Sequence, residues 1–199
     1  NNVDPQIQVI TVQGSRMVDN SQKYYLLNKP KGVITATTDS QLPTVIDLFK
    51  NENVEGLYPI GRLDRDTEGL LIITNNGPLG YRLLNPVQHI EKEYYVEVNW
   101  PLDDSCIQRF YDGIMFHDGT ICKPAKLSIL ESSPSFSKAT VTISEGKFHQ
   151  IKKMFLCVGV KVTFHKRIRF GKFVLDYSLS PGEYRPLNFS ELQILKQYF

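Results

Sequence analysis

The chain has 199 residues, 41% of them hydrophobic and 22% charged, with a formal net charge of +2. That is the make-up of a folded globular protein, and it excludes a disordered chain. No apolar run reaches the roughly 18 residues a membrane helix needs, and the opening NNVDPQIQ has no signal-peptide pattern, so no membrane partner is expected. Three cysteines, Cys106, Cys122 and Cys157, lack CxxC spacing and an even count. They read as reduced, structural thiols of a cytoplasmic protein.

Along the chain, QIQVITVQGSRM (6–17) alternates like a single strand and is followed by a polar linker. A lone strand cannot bury its own face, so residues 1–21 read as the tail of something upstream. Strands are predicted at KYYLLNKP (23–30) and KGVITATT (31–38), and a helix at TVIDLF (44–49) with Thr44 as its cap. LLIIT (70–74) is a buried strand, PLGYRLLN (78–85) a short helix with Gly77 and Pro78 at its start, and KEYYVEVNW (92–100) an alternating strand. DDSCIQRFYDG (103–113) suits a helix with acids at its N-terminus and Gly113 at its end. Further strands fall at 126–131, 138–144, 161–170 and 172–176. Between the second and third of these, Ile151, Met154, Phe155 and Val158 form an apolar helical stripe ended by Gly159. SELQILKQYF (190–199) closes as a helix capped by Ser190. The pattern is α+β, with helices flanking a large, mainly antiparallel sheet.

Three segments carry chemistry. GRLDRDTEGLLIIT (61–74) crowds Asp64, Asp66 and Glu68 beside Arg62 and Arg65 at the mouth of a core strand. Read alone, it is either a solvated turn or a carboxylate held at a strand end for catalysis. EKEYYV (91–96) sends Tyr94 and Tyr95 to opposite faces of a strand. EGKFHQIKKMF (145–155) opens a segment that carries no acid between Glu145 and Asp176, yet holds Lys147, His149, Lys152, Lys153, Lys166, Arg167 and Arg169. One-signed charge of that length suits a polyanion, unless acids elsewhere balance it. His89 and His117 lack ligand partners at useful spacing, and no metal is expected.

These segments resemble the pseudouridine synthases of the RsuA branch. GRLDRDTEGLLIITNNG is similar to that branch's catalytic motif, NKPKGVITATTD (28–39) to its opening motif, EKEYYV to its tyrosine motif, EGKFHQIKKMF to its basic helix, and PGEYRPL (181–187) to its closing segment. All five fall in order between Tyr24 and Leu195. The resemblance implies a pseudouridine synthase fold with a central RNA-binding cleft, a catalytic domain over 22–199, and residues 1–21 as a linker or remnant of an upstream alpha-L type RNA-binding domain. It implies isomerisation of uridine in ribosomal RNA, 16S rRNA above all, within an assembling small subunit, by a monomer that needs neither metal nor cofactor. Asp64 would be the essential carboxylate, Tyr94 would stack on the target base or move a proton, and Lys152 would pair with Asp64. Arg62 would help hold RNA or fill the space of the extruded base, and Lys147, His149, Lys153, Lys166, Arg167 and Arg169 would contact the RNA.

Alternative readings are a synthase of the same branch acting on 23S rRNA, a glycosidic hydrolase with paired carboxylates, and a silent rRNA-binding or assembly module. The acid-free basic stretch disfavours the hydrolase. The presence of Asp64, Tyr94 and Lys152 together disfavours the silent module.

Overall fold

A computed structural model describes residues 11–12, 15–16 and 21–198. Strands β1 (Thr11–Val12) and β2 (Ser15–Arg16) pair antiparallel. Within the stretch expected as one strand over 6–17, the described residues form these two short strands. The reading of 1–21 as a linker or remnant falls largely outside the described residues.

The main elements are β3 (Tyr24–Lys29), β4 (Tyr58–Ile60), β5 (Glu68–Thr74), α1 (Gly77–Leu84), β6 (Lys92–Val98), α2 (Asp104–Asp112), β7 (Lys126–Ser133), β8 (Phe136–Ile143), α3 (Gln150–Cys157), β9 (Val162–Phe170), β10 (Phe173–Val174), β11 (Tyr184–Pro186) and α4 (Phe189–Lys196). Their strands follow the order β11-β3-β5-β9-β6-β8-β7, with β4 on β5 and β10 on β9. The β5–β9 pairing is parallel, while β11–β3, β4–β5, β6–β8, β6–β9, β7–β8 and β9–β10 are antiparallel. This is the mixed, mainly antiparallel α+β sheet that the sequence predicts.

The chain divides into two compact units. The first comprises residues 1–66, 71–88 and 176–199, and the second residues 67–70 and 89–175. Strand β5 contributes to both. In the first unit, β3 is buried at all six positions, its apolar residues 24–27 being followed by the buried polar Asn28 and Lys29. In the second, β6 and β8 alternate buried and part-exposed positions, the period of a sheet with one covered face.

Helix ends follow local chemistry. Asp103 caps α2 by accepting from the Ser105 and Cys106 amides, and Gly113 leaves the helix at φ 99°. Asn188, not Ser190, caps α4, in a reciprocal box with Glu191. Thr44 does not cap a helix either. A single 3-10 turn, Ile46–Leu48, follows Val45, and the Asp47 carboxylate accepts from the Thr44 amide. No strand forms over 31–38. Only an isolated bridge joins Ile34 to Thr44, through the Ile34 amide to the Pro43 carbonyl and the Val45 amide to the Ile34 carbonyl, while the Gly32 amide and the Thr35 hydroxyl bond the Arg65 and Leu63 carbonyls.

Candidate active site

Asp64 lies in the seven-residue loop Gly61–Thr67 between β4 and β5, and is half-buried. Gly61 enters at φ 78°, a left-handed turn that a side chain would resist. Leu63 anchors the loop in the core at 5% exposure. On either side of Asp64 the backbone is held from the first unit's own opening motif. The Thr35 hydroxyl donates to the Leu63 carbonyl at 3.1 Å. The Arg65 carbonyl accepts from the Gly32 amide at 2.9 Å and from Lys29 Nζ at 3.2 Å. Lys29 is fully buried and also donates to the Pro30 carbonyl at 2.9 Å. A buried ammonium needs such acceptors. The Leu63–Asp64 and Arg65–Asp66 peptides are therefore held, which limits the wandering of the carboxylate between them.

The loop ends in the second unit. Thr67 Oγ1 and His165 Nε2 lie 2.6 Å apart, both buried. Gly69, at φ 117°, packs so closely that a Cβ there would collide with the Arg167 backbone across the parallel pairing.

Also in the second unit, Tyr94 is buried in β6, opposite Val141 and Arg167 on its two neighbouring strands. Tyr95 faces the other way. Its hydroxyl donates to Glu97 Oε2 at 2.7 Å, and burial, helped by that carboxylate, pushes its pKa up to about 12. Tyr95 is thus committed as a neutral phenol. Lys152, on the first turn of α3, is half-buried. Burial, and then the Arg167 charge, lower the pKa of Lys92 on β6, partly offset by Glu145.

The basic segment does not form one uniform surface. Arg167 departs from the expected role of phosphate contact, being only 2% exposed. The alternation of β9 turns it inward, where Nε donates to the Leu70 carbonyl at 2.9 Å and the guanidinium lies over Phe170. Two other members meet acids: Lys147 pairs with Glu145 at 3.6 Å and Arg169 with Glu91 at 3.1 Å. Lys153 and Lys166 are half-buried and Arg62 is exposed. Burial, and then Glu145, raise the Cys122 thiol to about 11, so it is no nucleophile at neutral pH. Among the described residues, no group of three or more His, Cys, Asp or Glu side chains is placed to hold a metal ion.

The RNA pseudouridylate synthase family matches residues 23–156. An uncharacterized RNA pseudouridine synthase of Bacillus subtilis, YtzG, is 40% identical over 196 residues, covering 98% of this chain and 82% of the relative. The chain belongs to the pseudouridine synthase family. Ribosomal small subunit pseudouridine synthase A of Yersinia pestis is 40% identical over 171 residues, 85% of this chain and 71% of that protein. A crystal structure of a pseudouridylate synthase superposes with a TM-score of 0.81 at 38% identity, over 88% of this chain and 74% of that one.

For a pseudouridine synthase, the sheet and its helices are those of the family fold, and the chain is an enzyme acting on RNA. Two residues that fix the synthase's loop were not singled out from sequence. Lys29 sits in the opening motif, where its consecutive Lys-Pro could have drawn attention. His165 lies within the basic segment and gives no signal that it faces Thr67. The closing motif is structural. Arg185 bonds Asp176 Oδ2 at 2.8 Å and Glu191 Oε1 at 2.7 Å. The Ser178 hydroxyl, then Arg185, hold Asp176 down to about 2. No helix among the described residues is long and apolar enough to cross a membrane.

Proposed function

We propose that this synthase isomerises one uridine of ribosomal RNA, in the small-subunit 16S molecule, with Asp64 as its essential carboxylate. The observation that carries the reading is the rigid mounting of Asp64 between two tethered carbonyls, those of Leu63 and Arg65. The small-subunit target is supported by the identity to ribosomal small subunit pseudouridine synthases across 171 residues.

The reaction breaks the bond from ribose carbon 1′ to uracil N1 and makes one from that carbon to C5. C5 gives up a proton and N1 gains one, so atoms and electrons balance without an oxidant or co-substrate. The uridine first leaves its stack, which costs a few kcal/mol. Asp64 then labilises the glycosidic bond, either by attacking carbon 1′ or by taking a ribose proton to give a glycal. Ionised Asp64 needs a cation to offset the field of the RNA phosphates, and the helix motif assigns that role to Lys152. Tyr94 retains the freed base or moves a proton. Arg62, Lys147, His149, Lys153, Lys166 and Arg169 hold the strand by phosphate contacts, which position RNA without reading sequence. The enzyme works as a cytoplasmic monomer on RNA in an assembling small subunit.

Mapping pseudouridine in 16S and 23S rRNA from cells with and without the protein tests the target. Loss of a 16S site is the expected result, and loss of a 23S site alone would assign the large subunit instead. An Asp64→Asn enzyme is expected to bind the RNA but leave turnover below about 1% of wild type. Retention of more than a few per cent would remove Asp64 from the chemistry.

A further inference from the structure

Phe148 is displayed where an aromatic side chain would ordinarily be buried. It remains 72% exposed, although its ring lies nearly parallel to that of His149, with centroids 3.7 Å apart and planes at 20°. His149 holds the pair in register from a left-handed backbone, φ 51° and ψ 36°, at the entry to α3. The turn beneath is tied by Gln150, itself only 4% exposed. Its carboxamide accepts from the Lys147 amide at 2.9 Å and donates to Glu145 Oε1 at 3.0 Å. Lys153 Nζ stands 5.1 Å from the Phe148 centroid and 5.5 Å from that of Phe116. The result is a rigid aromatic step with an ammonium at its edge.

We infer that Phe148, backed by His149, is a stacking platform for an unpaired nucleotide of the RNA substrate, with Lys153 drawing the adjoining phosphate. Single-stranded RNA is held in this way, by bases on aromatic faces with cations beside them. The surrounding charge fits that occupant, since no acidic residue follows Glu145 until Asp176. This inference rests on the RNA-modifying reading above and adds a contact outside the reacting atoms. Phe148 is a positioning residue, not a catalytic one.

The test compares binding of a short single-stranded oligoadenylate and its abasic counterpart by the wild type and by Phe148→Ala, Phe148→Leu and Phe148→Trp enzymes. The Ala and Leu enzymes are expected to bind oligoadenylate about tenfold more weakly, and the Trp enzyme to recover. The abasic strand should not distinguish the four. On an rRNA fragment, Phe148→Ala should raise KM more than it lowers kcat. Unchanged oligoadenylate affinity in the Ala and Leu enzymes would overturn the platform, as would an equal loss on the abasic strand. Should the wild type form no pseudouridine, the catalytic reading fails alone, and the base-against-abasic comparison still decides this one.

Discussion

Replacing Lys29 by Met separates the mounting of Asp64 from the chemistry of Asp64. The substitution keeps an unbranched apolar stem in a fully buried site and removes the hydrogen bonds to the Pro30 and Arg65 carbonyls. Bonds from a charged donor contribute about 1.5–3 kcal/mol each. Arg65 O keeps the Gly32 amide, while the Pro30 carbonyl loses its Lys29 donor. Relief from burying an ammonium offsets part of the loss, leaving a destabilisation of about 2 kcal/mol. The kinetic effect should be larger. With Lys29 no longer donating to Arg65 O, the Arg65–Asp66 peptide next to Asp64 can shift, and a displacement of about 1 Å near reacting atoms lowers turnover by about 100-fold. Urea unfolding measures the first quantity, and single-turnover conversion of an rRNA fragment at saturating enzyme measures the second. RNA affinity should hold. A Lys29→Met enzyme that loses stability yet converts RNA within about twofold of the wild-type rate would refute the tether as a determinant of catalysis.

Gly69→Ala should cost about 3 kcal/mol, because the new Cβ meets the Arg167 backbone and the residue sits at φ 117°; a thermal melt within a degree or two of wild type would contradict the close approach. Asp176 has a folded pKa lowered from 3.8 to about 2, so its contribution is present above about 3.8 and is lost as pH falls towards 2. Asp176→Asn should therefore flatten the acid limb of stability over that interval, and urea midpoints between pH 2 and 5 that fall as steeply as those of wild type would exclude this carboxylate as a source. Lys166→Gln together with Lys153→Gln should weaken RNA binding and reduce its salt slope by about 1 to 2, whereas Arg167→Met should lower the melting temperature instead. An Arg167→Met protein of wild-type stability with a flattened salt slope would return that arginine to the RNA surface.

The elements read best from sequence are those whose signal is local. Strand β5 and helices α1 and α2 carry apolar periodicity, a proline or acids at the start and, for α2, Gly113 at the end, and they form where expected. The segment 31–38 looked like a strand because its composition suits one. Its hydrogen bonds go to carbonyls from 43 to 65, a destination no propensity can announce. Strands β4 and β11 are three residues each, too short for a period to show. At the site, charge in the basic segment was legible but direction was not: the alternation of β9 takes Arg167 and His165 inside, while Lys166 stays part-exposed. A buried lysine such as Lys29 is hidden for the same reason, since only the folded chain supplies its acceptors.

Strand β3 obtains one of its partners late. Asn28 bonds the Leu179 carbonyl, 151 positions downstream, and β11 then pairs along the edge of β3. While the protein is being translated, that edge stays open until Leu179 and β11 have left the ribosome. An unpaired strand edge that is apolar over most of its length is a template for joining other chains. Premature termination before Tyr184 would therefore yield an aggregating product and no partly active enzyme.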